Sequence, residues 1–108
     1  MSILKREPYR NQRLLNAARD QTCMLRIPGV CTGGGKDTVA CHSNLGEDGK
    51  GGSQKADDCF IAFGCRECHD ELDGRTHRSG LDRDDLIAIF HRGMKRTWRN
   101  LLDRRILS

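Results

Sequence analysis

The sequence predicts a small, zinc-stabilised α+β fold. A single domain, 1–108, has a cysteine-stapled centre (23–77) between a basic N-terminal arm and helix (1–22) and a basic amphipathic C-terminal helix (82–108). Three observations predict it. Four of the six cysteines fall into two pairs, Cys23/Cys31 and Cys65-Arg66-Glu67-Cys68. Two short apolar runs of β character end or begin beside them. Behind Asp82 and Asp85, the residues Leu86, Phe90, Met94, Trp98 and Leu102 recur every four positions. With 36% hydrophobic and 31% charged residues in 108, the chain can build only a thin core, the situation in which small domains add disulfides or a structural metal.

Each element follows from local chemistry. Residues 10–20, RNQRLLNAARD, are helix formers with Leu14, Leu15 and Ala18 on one side, which predicts a short helix. In TCMLRIPGVC, Pro28-Gly29 demands a turn between Cys23 and Cys31, so the segment reads as a small knuckle. TGGGKD (32–37) is a loop, and Thr38-Val39-Ala40-Cys41-His42 is a short strand that delivers His42 at its end. The stretch 43–57, SNLGEDGKGGSQKAD, is nearly devoid of apolar residues and reads as a flexible loop long enough to be functional. CFIAFG (59–64) is the second strand. Arg66–Asp73 is a short helix ended by Gly74 at C′. Asp82 with Asp85 forms an N-cap and acidic N3 pair that opens the last helix, which Gly93 either bends or divides.

The cysteines decide the kind of staple. No apolar run reaches the roughly 18 residues of a membrane span, and MSILKREPYRNQR has no apolar signal region. The expectation is therefore a cytoplasmic protein, whose reducing surroundings favour metal ligation over disulfides. Two turn-associated cysteine pairs are what a closed tetrahedral Zn²⁺ site needs, with thiolates about 3.5–4 Å apart within a pair. Such binding contributes on the order of 10 kcal/mol to folding. A thiol-redox reading of Cys65/Cys68 lacks the βαβ context it requires. Cys59 reads as a small buried hydrophobe, and Cys41, beside His42, has no assigned role.

Three further residues can share a task. If 66–73 is helical, His69 and Asp73 stand at i and i+4 on one face, where a hard divalent cation such as Mg²⁺ could bind with several waters. An i,i+4 His/Asp pair is equally an ordinary surface pair, but the CxxC directly before it would aim His69. His77, four residues beyond Asp73, reads as a third ligand, a phosphate contact or an exposed side chain. His42 at a strand end could take a proton from water, since imidazoles titrate near working pH, or be merely structural. His91 has no such context.

Charge is unevenly spread. The net +4 divides into +3 over 1–22, −4 over 23–85 and +5 over 86–108. Solvated helix faces explain this as well as a nucleic-acid binder does, one whose basic ends hold phosphates around an acidic, metal-using centre.

LRIPGVC (25–31), the strand ending in His42 and CRECHDELDGRTH (65–77), in that order, resemble the zinc-bearing HNH endonucleases of the ββα-metal superfamily. The phrasing is closest to the small YbcO-like nucleases of lambdoid prophages, over roughly 14–80. The resemblance implies a ββα-metal finger with Cys23, Cys31, Cys65 and Cys68 on a structural zinc, His42 as general base and His69 as a metal ligand. Asp73 stands where many members have a second helical histidine. Two departures accompany it: Cys41 replaces the Asp or His that often precedes the base, and the family's central Asn has no counterpart nearer than Asp58, with Asp57 beside it.

The reading that unites these residues is a metal-dependent DNA endonuclease in a bacterial or phage-infected cell. His42 would activate water, and Mg²⁺ or Mn²⁺ would sit on His69 and Asp73, with His77 as a further ligand. Arg13, Arg19, Lys95, Arg96 and Arg99 would contact phosphates without reading sequence. A non-catalytic zinc-ribbon-like DNA-binding or adaptor protein explains the cysteines and basic ends equally, but gives His42, His69 and Asp73 no joint task. A phage-encoded inhibitor of a host protein is the third reading.

Overall fold

A computed structural model describes residues 7–107, so the first six residues of the basic arm lie outside the described residues. The elements run α1 (Gln12–Asn16), β1 (Val39–His42), a 3-10 turn (Gly46–Asp48), β2 (Ile61–Gly64), α2 (Arg66–Leu72) and α3 (Arg83–Asp103). The result is an α+β arrangement of one two-stranded antiparallel sheet and three helices. No described helix is long and apolar enough to cross a membrane.

The Gly74 stop and the Asp82 cap form where the sequence places them, and Asn11 and Cys65 add two caps that it did not indicate. The Asn11 side chain accepts from the Arg13 amide and opens α1, which is shorter than the 10–20 segment because residues 17–20 continue as turns. Cys65 caps α2 and Asp73 ends it, with Gly74 next at φ 79°. Asp82 accepts from the Asp85 amide at 2.8 Å and opens α3.

The strands pair Val39 with Gly64, Ala40 with Phe63, Cys41 with Ala62 and His42 with Ile61. Directly opposed residues share a face, so the pleat sends Cys41 and Ala62 one way and His42 and Ile61 the other. Every β2 residue is buried, because both faces of the hairpin are covered. Ala62 and Cys41 join Cys23, Leu25, Ile27, Val30, Cys65, Cys68, Ile89 and Phe90 in one core. Ile61 and Phe63 join Leu14, Ala17, Ala18 and Leu101 in the other. The 21-residue α3, about 31 Å long, reaches from the first core to the second.

That helix buries the stripe of the four-residue repeat only in part: Phe90 is buried, and Leu86, Met94 and Trp98 pack half-buried against the cores. The buried line is Ile89, Phe90, Gly93, Thr97 and Leu101, while Leu102 is 41% exposed. Steps of four residues advance about 40° beyond a full turn each, so the repeated residues spiral away from any one side. Gly93 does not divide α3, which runs unbroken from Arg83 to Asp103; it lets the helix approach the knuckle. A Cβ there would stand 2.8 Å from the Met24 carbonyl oxygen and 3.3 Å from the Leu25 Cα. Thr97 fixes the contact, its Oγ1 accepting from the Phe63 amide and donating to the Gly93 carbonyl, each at 2.9 Å.

The 43–57 segment, expected as a flexible loop, is internally bonded. The buried Ser43 hydroxyl donates to Asp48 at 2.6 Å, Gly51 and Gln54 bridge each other, and the Asp57 amide returns to the Asp48 carbonyl at 3.0 Å.

Candidate metal centre and cleft

The Cys23–Cys31 knuckle turns through Pro28 and Gly29, whose φ of 74° suits the third position of a type II turn. The amides of Val30 and Cys31 both return to the Ile27 carbonyl. Beyond it, Gly34 passes so near the knuckle that a Cβ would lie 2.6 Å from the Cys23 amide. The effect is to bring both cysteines against the start of α2. The sulfurs of Cys23, Cys31, Cys65 and Cys68 all lie within 4.8 Å of one another. Sulfurs bound to one tetrahedral Zn²⁺ at about 2.3 Å are separated by about 3.8 Å, so the four fit an ion such as zinc with small adjustment.

Hydrogen bonding and burial within the cluster divide the thiols, favouring the thiolate at Cys23 and the neutral thiol at Cys68 and Cys31. A thiol–thiol bond with Cys68 draws the Cys23 thiol down to about 4 and pushes Cys68 up, while burial raises Cys31. Amides of Cys68 and Gly33 point at the sulfurs of Cys65 and Cys31, at 3.4 and 3.3 Å. Among the described residues it is the only group of three or more His, Cys, Asp or Glu side chains placed to share an ion. Cys41 is fully buried in the core beside the cysteine cluster, where burial raises its thiol, and Cys59, expected as buried, is half-exposed.

His42 emerges from β1 on the opposite side from Cys41. Its Nε2 lies 2.8 Å from Asp58 Oδ1. Asp58, 1% exposed, also accepts from the Asn11 amide at 2.7 Å and lies 3.5 Å from the Arg10 guanidinium. Burial acts to raise this carboxyl, but the hydrogen bonds of His42 and Asn11 and the charge of Arg10 outweigh it and hold the group below its usual range. An ionised Asp58 can only accept, so the neutral tautomer of His42 compatible with this bond has its proton on Nε2 and its lone pair on Nδ1.

On α2, His69 Nε2 and Asp73 Oδ2 are 3.0 Å apart. Burial would raise Asp73 too, yet the bonds from His69 and from Asn44 Nδ2 (3.0 Å), with Arg75 nearby, keep it low. That spacing is a direct imidazole–carboxylate hydrogen bond, which an ion shared by the two side chains would have to replace. His42, His69 and Asp73 line one open cleft of about 190 Å³, together with Ser43, Asn44, Lys50 and Lys55. His77 is set apart: it lines an adjoining hollow, and no third ligand atom converges with His69 and Asp73 among the described residues.

The basic residues expected at phosphates take varied positions, and none lines the cleft. Arg13, Arg19 and Lys95 are exposed. Arg99 lies 3.6 Å from Asp103. Arg96 is half-buried and donates to the Met24 carbonyl at 2.8 Å, which gives it a structural task. The cations at the cleft are Lys50 and Lys55, which sequence reading passed over inside a Gly-rich loop. Asn44 and Glu71 were missed as well. The buried Glu71 accepts from Thr76 Oγ1, the Arg78 amide and both the amide and hydroxyl of Ser79, at 2.7–2.9 Å, and so shapes the segment bearing His77.

Comparison with known proteins places this geometry in context. The family model described as "Putative nuclease YbcO" matches residues 12–105, a span holding the four cysteines, His42, Asp58, His69 and Asp73. "Putative nuclease YbcO" of Escherichia coli (strain K12) is 45% identical over 65 residues, 59% of this chain and 66% of that protein. "Putative nuclease ybcO" of Enterobacteria phage 82 matches equally, so the chain spans just under two thirds of the length of these relatives. A solved structure described as "Structure of a putative bacteriophage protein from Escherichia coli str. K-12 substr. MG1655" is 33% identical with a TM-score of 0.66, covering 84% of this chain and 98% of that one.

Proposed function

The chain belongs to the family described as "Putative nuclease YbcO", and from that premise we propose that it is a metal-dependent DNA endonuclease of the HNH, ββα-metal type. The observation that carries the reading is that His42, His69 and Asp73, from β1 and α2, line one cleft with two lysines. An adaptor built on the cysteine cluster would have no use for that convergence.

His42 removes the proton of the attacking water through Nδ1. Asp58 holds Nε2–H at 2.8 Å, fixes the ring's orientation and stabilises the imidazolium that forms. Lys50 and Lys55 hold the phosphate in the cleft and offset its charge. His69 and Asp73 would hold Mg²⁺ or Mn²⁺, which supplies Lewis-acid stabilisation of charge on the phosphate and leaving oxygen. The four cysteines would hold a structural zinc, which anchors the first turn of α2 and thereby the direction of His69.

Nicking of supercoiled plasmid tests this. The zinc-loaded protein is expected to nick only with Mg²⁺ or Mn²⁺ added. His42→Ala is expected to lose about 100-fold or more, the usual worth of a general base. A folded His42→Ala protein that cuts as fast as the parent overturns the assignment.

A further inference from the structure

Beside the cleft, and sharing Ser43, Asn44 and Asp73 with it, lies a second hollow of about 360 Å³. Its lining is unlike that of the cleft. Leu45, Leu72, Leu81, Leu86, Ile87 and Phe90 supply an apolar floor from the loop after β1, from α2, and from α3 and the segment before it. Thr76, His77 and Arg83 supply a polar edge. A phosphate has no use for such a surface. In a stacked duplex the groups nearest a scissile phosphate are sugars and neighbouring phosphates, and the apolar faces of the bases are hidden. The one part of a nucleic acid that is flat, apolar on its faces and polar at its edge is a base released from stacking. The volume falls at the low end of small-molecule sites, roughly 300–1,000 Å³, which suits a single ring system. Exposed His77 and Arg83 carry the planar groups on which bases stack.

We propose that this hollow receives one unstacked nucleobase adjoining the phosphate held in the cleft, so that the preferred substrate is single-stranded or locally unpaired DNA. The proposal rests on the endonuclease reading for its placement of the phosphate. His77 then serves the base instead of the metal, and Asn44, bonded to Asp73 and lining both spaces, sits where base and phosphate join. Glu71 contributes by holding the segment that presents His77.

The test is fluorescence anisotropy with zinc-loaded, full-length His42→Ala protein and labelled oligonucleotides of about 12 nucleotides, within the usual length of a single-strand site. The single strand is expected to bind at least about tenfold more tightly than its duplex. An abasic residue at one position, but not its neighbours, is expected to weaken binding about five- to tenfold, the scale of one lost stacking contact. His77→Ala and Arg83→Ala, both at exposed positions, should shrink that abasic penalty, and Leu86→Asp should remove it. Equal binding of single strand and duplex with no abasic-sensitive position overturns the proposal. The endonuclease reading survives that result if the parent still nicks duplex plasmid with Mg²⁺ and His42→Ala does not. The converse result, a base-specific penalty without cleavage in either metal, retains the hollow as a base site and removes the endonuclease.

Discussion

Asp58 illustrates how much one residue can carry. It lies 16 positions from His42, is 1% exposed, and binds the imidazole, the Asn11 amide and Arg10 together. Because its carboxylate only accepts, it determines which ring nitrogen of His42 is basic. Asp58→Asn keeps the shape and removes the charge, so the imidazolium loses its stabilisation and the amide can favour the wrong tautomer. We expect kcat to fall about 100-fold while DNA binding by anisotropy and the far-UV spectrum stay as in the parent. A fall in binding as large as the fall in kcat would show instead that Asp58 merely supports the fold. His42 was legible from its strand-end position, and His69 with Asp73 from i,i+4 spacing after CxxC. The bond to Asp58 was not legible from spacing; the family resemblance put Asp58 nearest the place of the central Asn, but no local pattern joined it to the ring of His42.

At the level of elements, contacts between segments override local preference. In α3, replacing Gly93 with Ala should add about 1 kcal/mol of helix propensity. The Cβ would meet the Met24 carbonyl at 2.8 Å, however, and backbone cannot move aside cheaply. Gly93→Ala is therefore expected to destabilise by about 1–3 kcal/mol in urea unfolding, the cost of overpacking. A stabilised variant would mean that the helix can shift off the knuckle without loss. The same logic governs the turn after α2. Hydrogen bonding from Thr76, with the Arg78 and Ser79 bonds, holds Glu71 down to about 2 from an ordinary 4.5. A carboxyl lowered in the folded state stabilises above its unfolded pKa and loses that contribution as pH falls. Parent stability relative to Glu71→Gln should be largest above about pH 4.5 and shrink steadily toward pH 2. Taking the difference between the two proteins cancels the acid sensitivity of the cysteine cluster, and a difference independent of pH would contradict the role given to Glu71.

For the whole molecule, the controlling quantity is the thinness of two small cores on either side of a two-stranded hairpin. A metal worth on the order of 10 kcal/mol is comparable with the entire stability of such a domain, about 5–15 kcal/mol. Chelation of zinc, or Cys68→Ser, is expected to abolish the cooperative thermal transition in circular dichroism, and metal analysis of the folded parent to find one zinc per chain. A chelated protein that still melts cooperatively would show the cores to be sufficient alone.

What the sequence determined by itself was local: the two cysteine pairs, the strands that end at His42 and begin near Ile61, the Asp82 cap and the stop at Gly74. Each depends on residues within a few positions of one another, where backbone geometry dictates the outcome. Tertiary structure alone decided which face of α3 is buried, that Arg96 serves the fold, that the polar loop brings Lys50 and Lys55 to the cleft, and that His77 lines a neighbouring hollow apart from His69 and Asp73. Those outcomes depend on how separate elements approach, and such approach is set by side-chain volume and hydrogen bonding between residues that no sequence interval relates.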